Sequence, residues 1–149
     1  MQKNNKITSE EAILSHIYEG AMMGTDTMVK LIEKTEDKKL VEDITCQMNG
    51  YQNFANMSRK KLVDMNVTPK EASYFTKIPA VIGTEINTAI DNSPSHIAEM
   101  IINGSTMGII ELKKEMNRYS ENCAADVVQM GNDMLTFEEN NVNKMKSYL

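Results

Sequence analysis

A chain of 149 residues, 41% hydrophobic and 25% charged, is long enough for one domain with a substantial buried core. A formal charge of −5, with lysines scattered among acids, excludes the basic clusters that neutralise phosphates, so nucleic acid is not an expected partner. The opening MQKNNKITSEE has no apolar run, and no stretch of roughly eighteen apolar residues follows, so neither a secretory leader nor a membrane span is expected.

The first expected helix opens at TSEE, where Thr8 and Glu11 fit a capping box. It runs to about Lys34 with Ile13, Ile17, Gly20, Gly24, Met28 and Leu31 on one stripe. Only the residues around Thr35 to Asp37 separate it from the second, and so short a connection forces an antiparallel hairpin. The second helix carries Val41, Ile44, Met48, Tyr51, Ala55, Ser58, Leu62 and Met65 at alternating three-four spacing, the signature of a bundle seam.

The hairpin therefore covers about 8–66, and 67–92 is a crossover. Within it, TPKE at Thr68 to Glu71 has proline at a first helical position and predicts a short helix. Ser93 followed by Pro94 predicts the start of a third long helix, running to about Tyr119. Ser120 is the expected N-cap of the fourth, with Val128, Gly131, Leu135, Glu138, Val142, Met145 and Leu149 on its seam. The second hairpin thus covers about 93–149, and the fold class is an all-α four-helix bundle of two hairpins joined by a long connection.

Three prolines, seven glycines, thirteen methionines and no tryptophan suit such a chain. Methionine at bundle spacing is expected to fill core rather than ligate copper or haem. Cys46 and Cys123 lack CxxC spacing, as befits two reduced packing cysteines in a cytoplasmic protein.

The only two histidines fall in an internal repeat. Ser15, His16, Ile17 and Glu19 align with Ser95, His96, Ile97 and Glu99, Gly24 with Gly104, and Thr25 with Ser105. The repeat reads as a duplicated hairpin. Each long helix also carries a mid-helix glycine (Gly20 and Gly24, Gly50, Gly104 and Gly108, Gly131), at about 1 kcal/mol each relative to alanine. Close backbone approach, or room for something in the core, would account for that cost.

Residues three apart share a helix face, so His16 with Glu19 and His96 with Glu99 each present an imidazole beside a carboxylate. Folding the hairpins about their turns is expected to bring both pairs level with Glu138, with Tyr51 and Gln47 nearby. A carboxylate on an apolar seam must be paired, protonated or metal-bound. The five residues His16, Glu19, His96, Glu99 and Glu138 are therefore candidate ligands of an iron or manganese site, or members of a buried polar network that fixes helix register. With both histidines in the repeat no Ser-His-Asp set is available, and no glycine-rich strand-to-helix loop is present for nucleotides.

The hairpin–crossover–hairpin pattern and the block SHIAEMIINGSTMGIIELKK resemble the ferritin-like superfamily, in particular small bacterial members related to spore-coat proteins. The resemblance implies a ferritin-like bundle and, as in many members, a di-iron centre with oxidase, peroxidase or iron-storage activity. The cofactor would be iron or manganese, with zinc as a substitute. The partners would be further copies of the chain in a homo-oligomer, or a spore-coat or other protein. Glu19 and Glu99 match the pattern's first-helix glutamates, and Glu138 a second-helix one. The chain departs from the pattern in its His-x-x-Glu order. It also offers Gln47, Gly50 and Tyr51 on the second helix where a carboxylate belongs. A metal-binding bundle and a metal-free structural or interaction bundle both remain open at this point.

Overall fold

A computed structural model of the protein describes residues 7–70 and 91–149. They form four long helices: α1 (Ser9–Lys34), α2 (Lys38–Asp64), α3 (Pro94–Tyr119) and α4 (Ala125–Met145), with single 3-10 turns at Ser120–Asn122 and Lys146–Tyr148. No strand occurs among the described residues. The short helix expected beyond Thr68 falls largely outside them; Thr68 to Lys70 are not helical.

The start signals act as the sequence suggests. The Thr8 hydroxyl accepts from the Glu11 amide at 3.2 Å, Asp37 from the Leu40 amide at 2.8 Å, and Ser93 from the His96 amide at 3.3 Å. Each satisfies an amide that the first turn leaves unpaired. Pro94 begins α3 rather than kinking a longer helix. Asn66, with φ of 60°, closes α2 in the left-handed region that asparagine tolerates. The start of α4 differs from expectation. Ser120 opens only a 3-10 turn, and the helix begins at Ala125 without a side-chain cap of its own. Glu10 on α1 instead accepts from the Ala124 amide at 2.8 Å.

Contacts fix the helix directions. Gly24 on α1 faces Tyr51 on α2, while Met116 and Gly108 on α3 face Gly131 and Glu138 on α4. Between α2 and α4 the partners run in reverse order: Asp43 with Lys144 and Tyr148, Gly50 with Phe137, Lys61 with Asp126. So α1 and α4 run one way, and α2 and α3 the other.

The core is drawn from one stripe of each helix: Ile13, Ile17 and Leu31 from α1, Ile44, Tyr51 and Leu62 from α2, Ile97, Ile101 and Leu112 from α3, and Met134, Leu135 and Met145 from α4. Burying such side chains, each contributing about 1.5–3 kcal/mol, holds the four helices together. The seam positions expected at helix ends are the ones that miss it: Met65 and Leu149 are exposed. Among the described residues no helix is long and apolar enough to cross a membrane.

Candidate binding site in the bundle core

At mid-height the apolar core is interrupted by a polar cluster contributed by three helices. Glu138, only 5% exposed, accepts from the Tyr51 hydroxyl through both carboxylate oxygens, at 2.9 and 2.7 Å. The Ser105 hydroxyl lies beside it and favours its charged form. Behind them, the Gln47 amide nitrogen donates to the Tyr51 hydroxyl at 3.2 Å and to the Ser105 hydroxyl at 3.4 Å. The proton order is consistent throughout. Gln47 gives its amide protons to the two hydroxyls, and the Tyr51 hydroxyl gives its own to Glu138. The Gln47 Oε1 is left buried and without a hydrogen-bond partner among the described residues, a cost of about 1–3 kcal/mol.

Burial pushes the Glu138 carboxyl up to about 7, against the hydrogen bonds from Tyr51 and Ser105 that favour its charged form. Burial, and then the Glu138 charge, push the Tyr51 phenol well above its ordinary value, so it serves as a donor. The ring of Tyr51 is held edge-on by Phe137, with centroids 5.1 Å apart, and Phe137 in turn lies on Gly50.

Glu138, Tyr51 and Ser105 form the floor of a cleft of about 500 Å³ whose walls are α1 and α3. The glycines divide into two kinds here. A Cβ on Gly24 or Gly50 would lie under 3 Å from the ring of Tyr51 or Phe137, so close packing requires these two, while one on Gly131 would meet the flexible end of Met116. A Cβ on Gly104 would meet nothing within 4 Å, and one on Gly108 only a Glu138 oxygen at 3.5 Å. Those two glycines leave space open, and it is the cleft.

Three of the five candidate residues line this cleft: His16, Glu19 and Glu138. His96 and Glu99 do not; they pair with each other at 3.9 Å, with the Glu99 side chain 62% exposed. The reason is helix direction. Because α1 and α3 are antiparallel, equivalent positions of the repeat meet only near Gly24 and Gly104. His16 and His96 each precede that level by eight residues, and at 1.5 Å per residue they lie about 12 Å from it in opposite directions. The shared level expected for both pairs is therefore not formed. Among the described residues, no group of three or more His, Cys, Asp or Glu is placed to hold a metal ion.

The buried acid on an apolar seam was a sufficient signal for Glu138, and depth in the hairpin for Tyr51 and Gln47. Ser105 and the cleft itself went unforeseen. The signal for them was Gly104-Ser105-x-x-Gly108, small residues on one α3 face with no demand from packing. No family model, curated protein or solved structure matches the chain. The class rests on fold and site: an all-α four-helix protein with a glycine-walled cleft over a buried carboxyl network.

Proposed function

We propose that the chain is a ferritin-like bundle that binds a small molecule in the cleft between α1 and α3. The ferritin-like connectivity is supported by helix direction: α2 and α3 run the same way, so the end of one and the start of the next lie at opposite ends of the bundle. The binding reading is carried by Gly104. An interior glycine costs about 1 kcal/mol relative to alanine, and no neighbouring atom among the described residues requires it. A volume of about 500 Å³ is that of an ordinary ligand pocket.

The iron or manganese centre implied by the resemblance fits these residues poorly. Both oxygens of Glu138 are engaged by Tyr51, α2 presents Gln47 and Tyr51 where a carboxylate belongs, and His96 and Glu99 lie outside the cleft. The second reading is a metal-free structural or interaction bundle. It is favoured by the closure of the Gln47, Tyr51, Ser105 and Glu138 network upon itself, since such networks can specify register without a ligand.

Titration with the neutral fluorescent probe N-phenyl-1-naphthylamine separates the two. The binding reading expects saturable one-to-one uptake by the whole chain and its loss in Gly104→Leu, which fills the cleft. The melting temperature of that variant should equal or exceed that of the parent. Equal uptake by both proteins, or none by either, would leave the structural bundle as the better account.

A further inference from the structure

Resting on the small-molecule reading above, we infer that the ligand of this cleft is an organic cation, a protonated or quaternary amine carried on an apolar body. The inference comes from how charge and apolar surface are distributed along the cleft. Among the described residues the carboxyl side chains lining it are Glu19, Glu111, Glu115 and Glu138, and no lysine or arginine lines it. Lys114 and Arg118 pair with Glu111 and Glu115 at 3.3 and 3.9 Å from the solvent side. Pairs of this kind near the surface are worth about 0–1 kcal/mol, so Glu111 and Glu115 remain available to a cation inside.

The two ends are unlike. Because α1 and α3 are antiparallel, His16 and Glu19 on α1 stand at the same end as Glu111 and Glu115 on α3. Met28 stands at the other end with Met100 and Ile101. The cleft is thus acidic at one end and apolar at the other, with Glu138 on the floor between them. Among the described residues, His16 is the one lining residue able to carry positive charge, and it does so only when protonated.

The walls suit such a guest. Met23, Met28, Met100, Met107 and Met134 line the cleft. Methionine is unbranched, adaptable and polarizable, the side chain that moulds to apolar ligands of varied shape. An anionic ligand would face Glu111 and Glu115 at the acidic end and, among the described residues, no lysine or arginine. A purely apolar ligand would desolvate Glu138 further, and the hydrogen bonds from Tyr51 hold its charge without neutralising it. A cation removes that difficulty, since a charge a few ångströms from a buried carboxylate is strongly favourable where water is excluded.

Three probes of one shape test the idea on the whole chain by isothermal titration calorimetry. They are 4-phenylbutyltrimethylammonium, its neutral tert-butyl carbon analogue, and the anion 4-phenylbutylsulfonate. The expected result is one-to-one binding of the ammonium at least about tenfold tighter than the neutral analogue, with the sulfonate weakest. Glu111→Gln, on an exposed face where folding is not at risk, should weaken the ammonium and leave the neutral probe unchanged. Gly104→Leu should abolish both. Neutral binding as tight as the ammonium, or tighter binding of the sulfonate, overturns the inference while the cleft reading stands. Displacement of the ammonium by equimolar Mn²⁺ also overturns it, in favour of an inorganic ion. If no probe binds and N-phenyl-1-naphthylamine does, the inference alone fails; if that dye fails too, the binding reading goes with it.

Discussion

Gly24 and Tyr51 occupy one space: a Cβ on the glycine would sit 2.7 Å from the ring carbons of the tyrosine. Tyr51 reaches Glu138 because α1 has no side chain at this point. The ring is buried at 4% exposure and braced by Phe137, so it cannot retreat cheaply. Gly24→Ala should therefore destabilise the bundle by roughly 1–3 kcal/mol, despite alanine's better helix propensity. Chemical denaturation of parent and variant measures this, and a neutral or stabilising result would show that Tyr51 is free to shift.

Gly104 is the repeat partner of Gly24 and should behave oppositely. With open space around its missing side chain, Gly104→Ala should stabilise by about 1 kcal/mol through helix propensity alone. The pair of substitutions, read in one denaturation series, distinguishes a glycine that packing requires from one that keeps a cleft open.

Glu138 makes stability depend on pH in a stated direction. Its folded value of about 7 lies above its ordinary value of 4.5. The stability it permits is thus fully present below about pH 4.5 and is lost as pH rises through 7. The full loss is roughly 3 kcal/mol. Glu138→Gln, which keeps shape without charge, should remove this slope and melt above the parent at pH 8. Melting curves of both proteins from pH 4.5 to 8 provide the check; parallel curves would mean that the carboxyl is not desolvated.

Tyr51→Phe removes a donor that holds Glu138 down. The Glu138 carboxyl should then titrate above its parent value of about 7, followed by carbon-13 NMR of the carboxyl. Loss of the hydroxyl also leaves one amide proton of Gln47 without its acceptor, so stability should fall by about 1–3 kcal/mol.

Asp43 supplies the opposite pH signature. Burial raises its carboxyl, but hydrogen bonds from Tyr148 and Lys144 outweigh this and hold it below 3.8. Its contribution is therefore present above about pH 4 and is lost as pH falls through the folded value. Because the site touches water, the effect should be about 1 kcal/mol or less. Asp43→Asn should narrow the gap between the melting temperatures at pH 5 and pH 3; an unchanged gap would mean that the contact does not discriminate.

Much of the fold was legible because its signals are local. Thr8, Asp37, Ser93 and Pro94 mark helix starts through bonds made within one turn, and the seams follow from periodicity. The start of α4 was not legible, since its amide is satisfied from α1 and not from Ser120. The site divided in the same way. Glu138 declared itself by charge on an apolar stripe, whereas His96 was misplaced because sequence spacing says nothing of whether two like helices run parallel. The cleft was hidden for a further reason: a glycine that packs and a glycine that leaves room are the same letter.

The bond from the Ala124 amide to Glu10 joins residues 114 positions apart, yet it does the work of a helix cap. The last helix has no side-chain cap of its own, and in a folded protein a helix draws most of its stability from packing against its neighbours. Its first turn is completed only when the first helix arrives. The two hairpins are then not separate folding units whose docking is optional. The later one gains its final order from the earlier, and the chain should fold and unfold as one cooperative body.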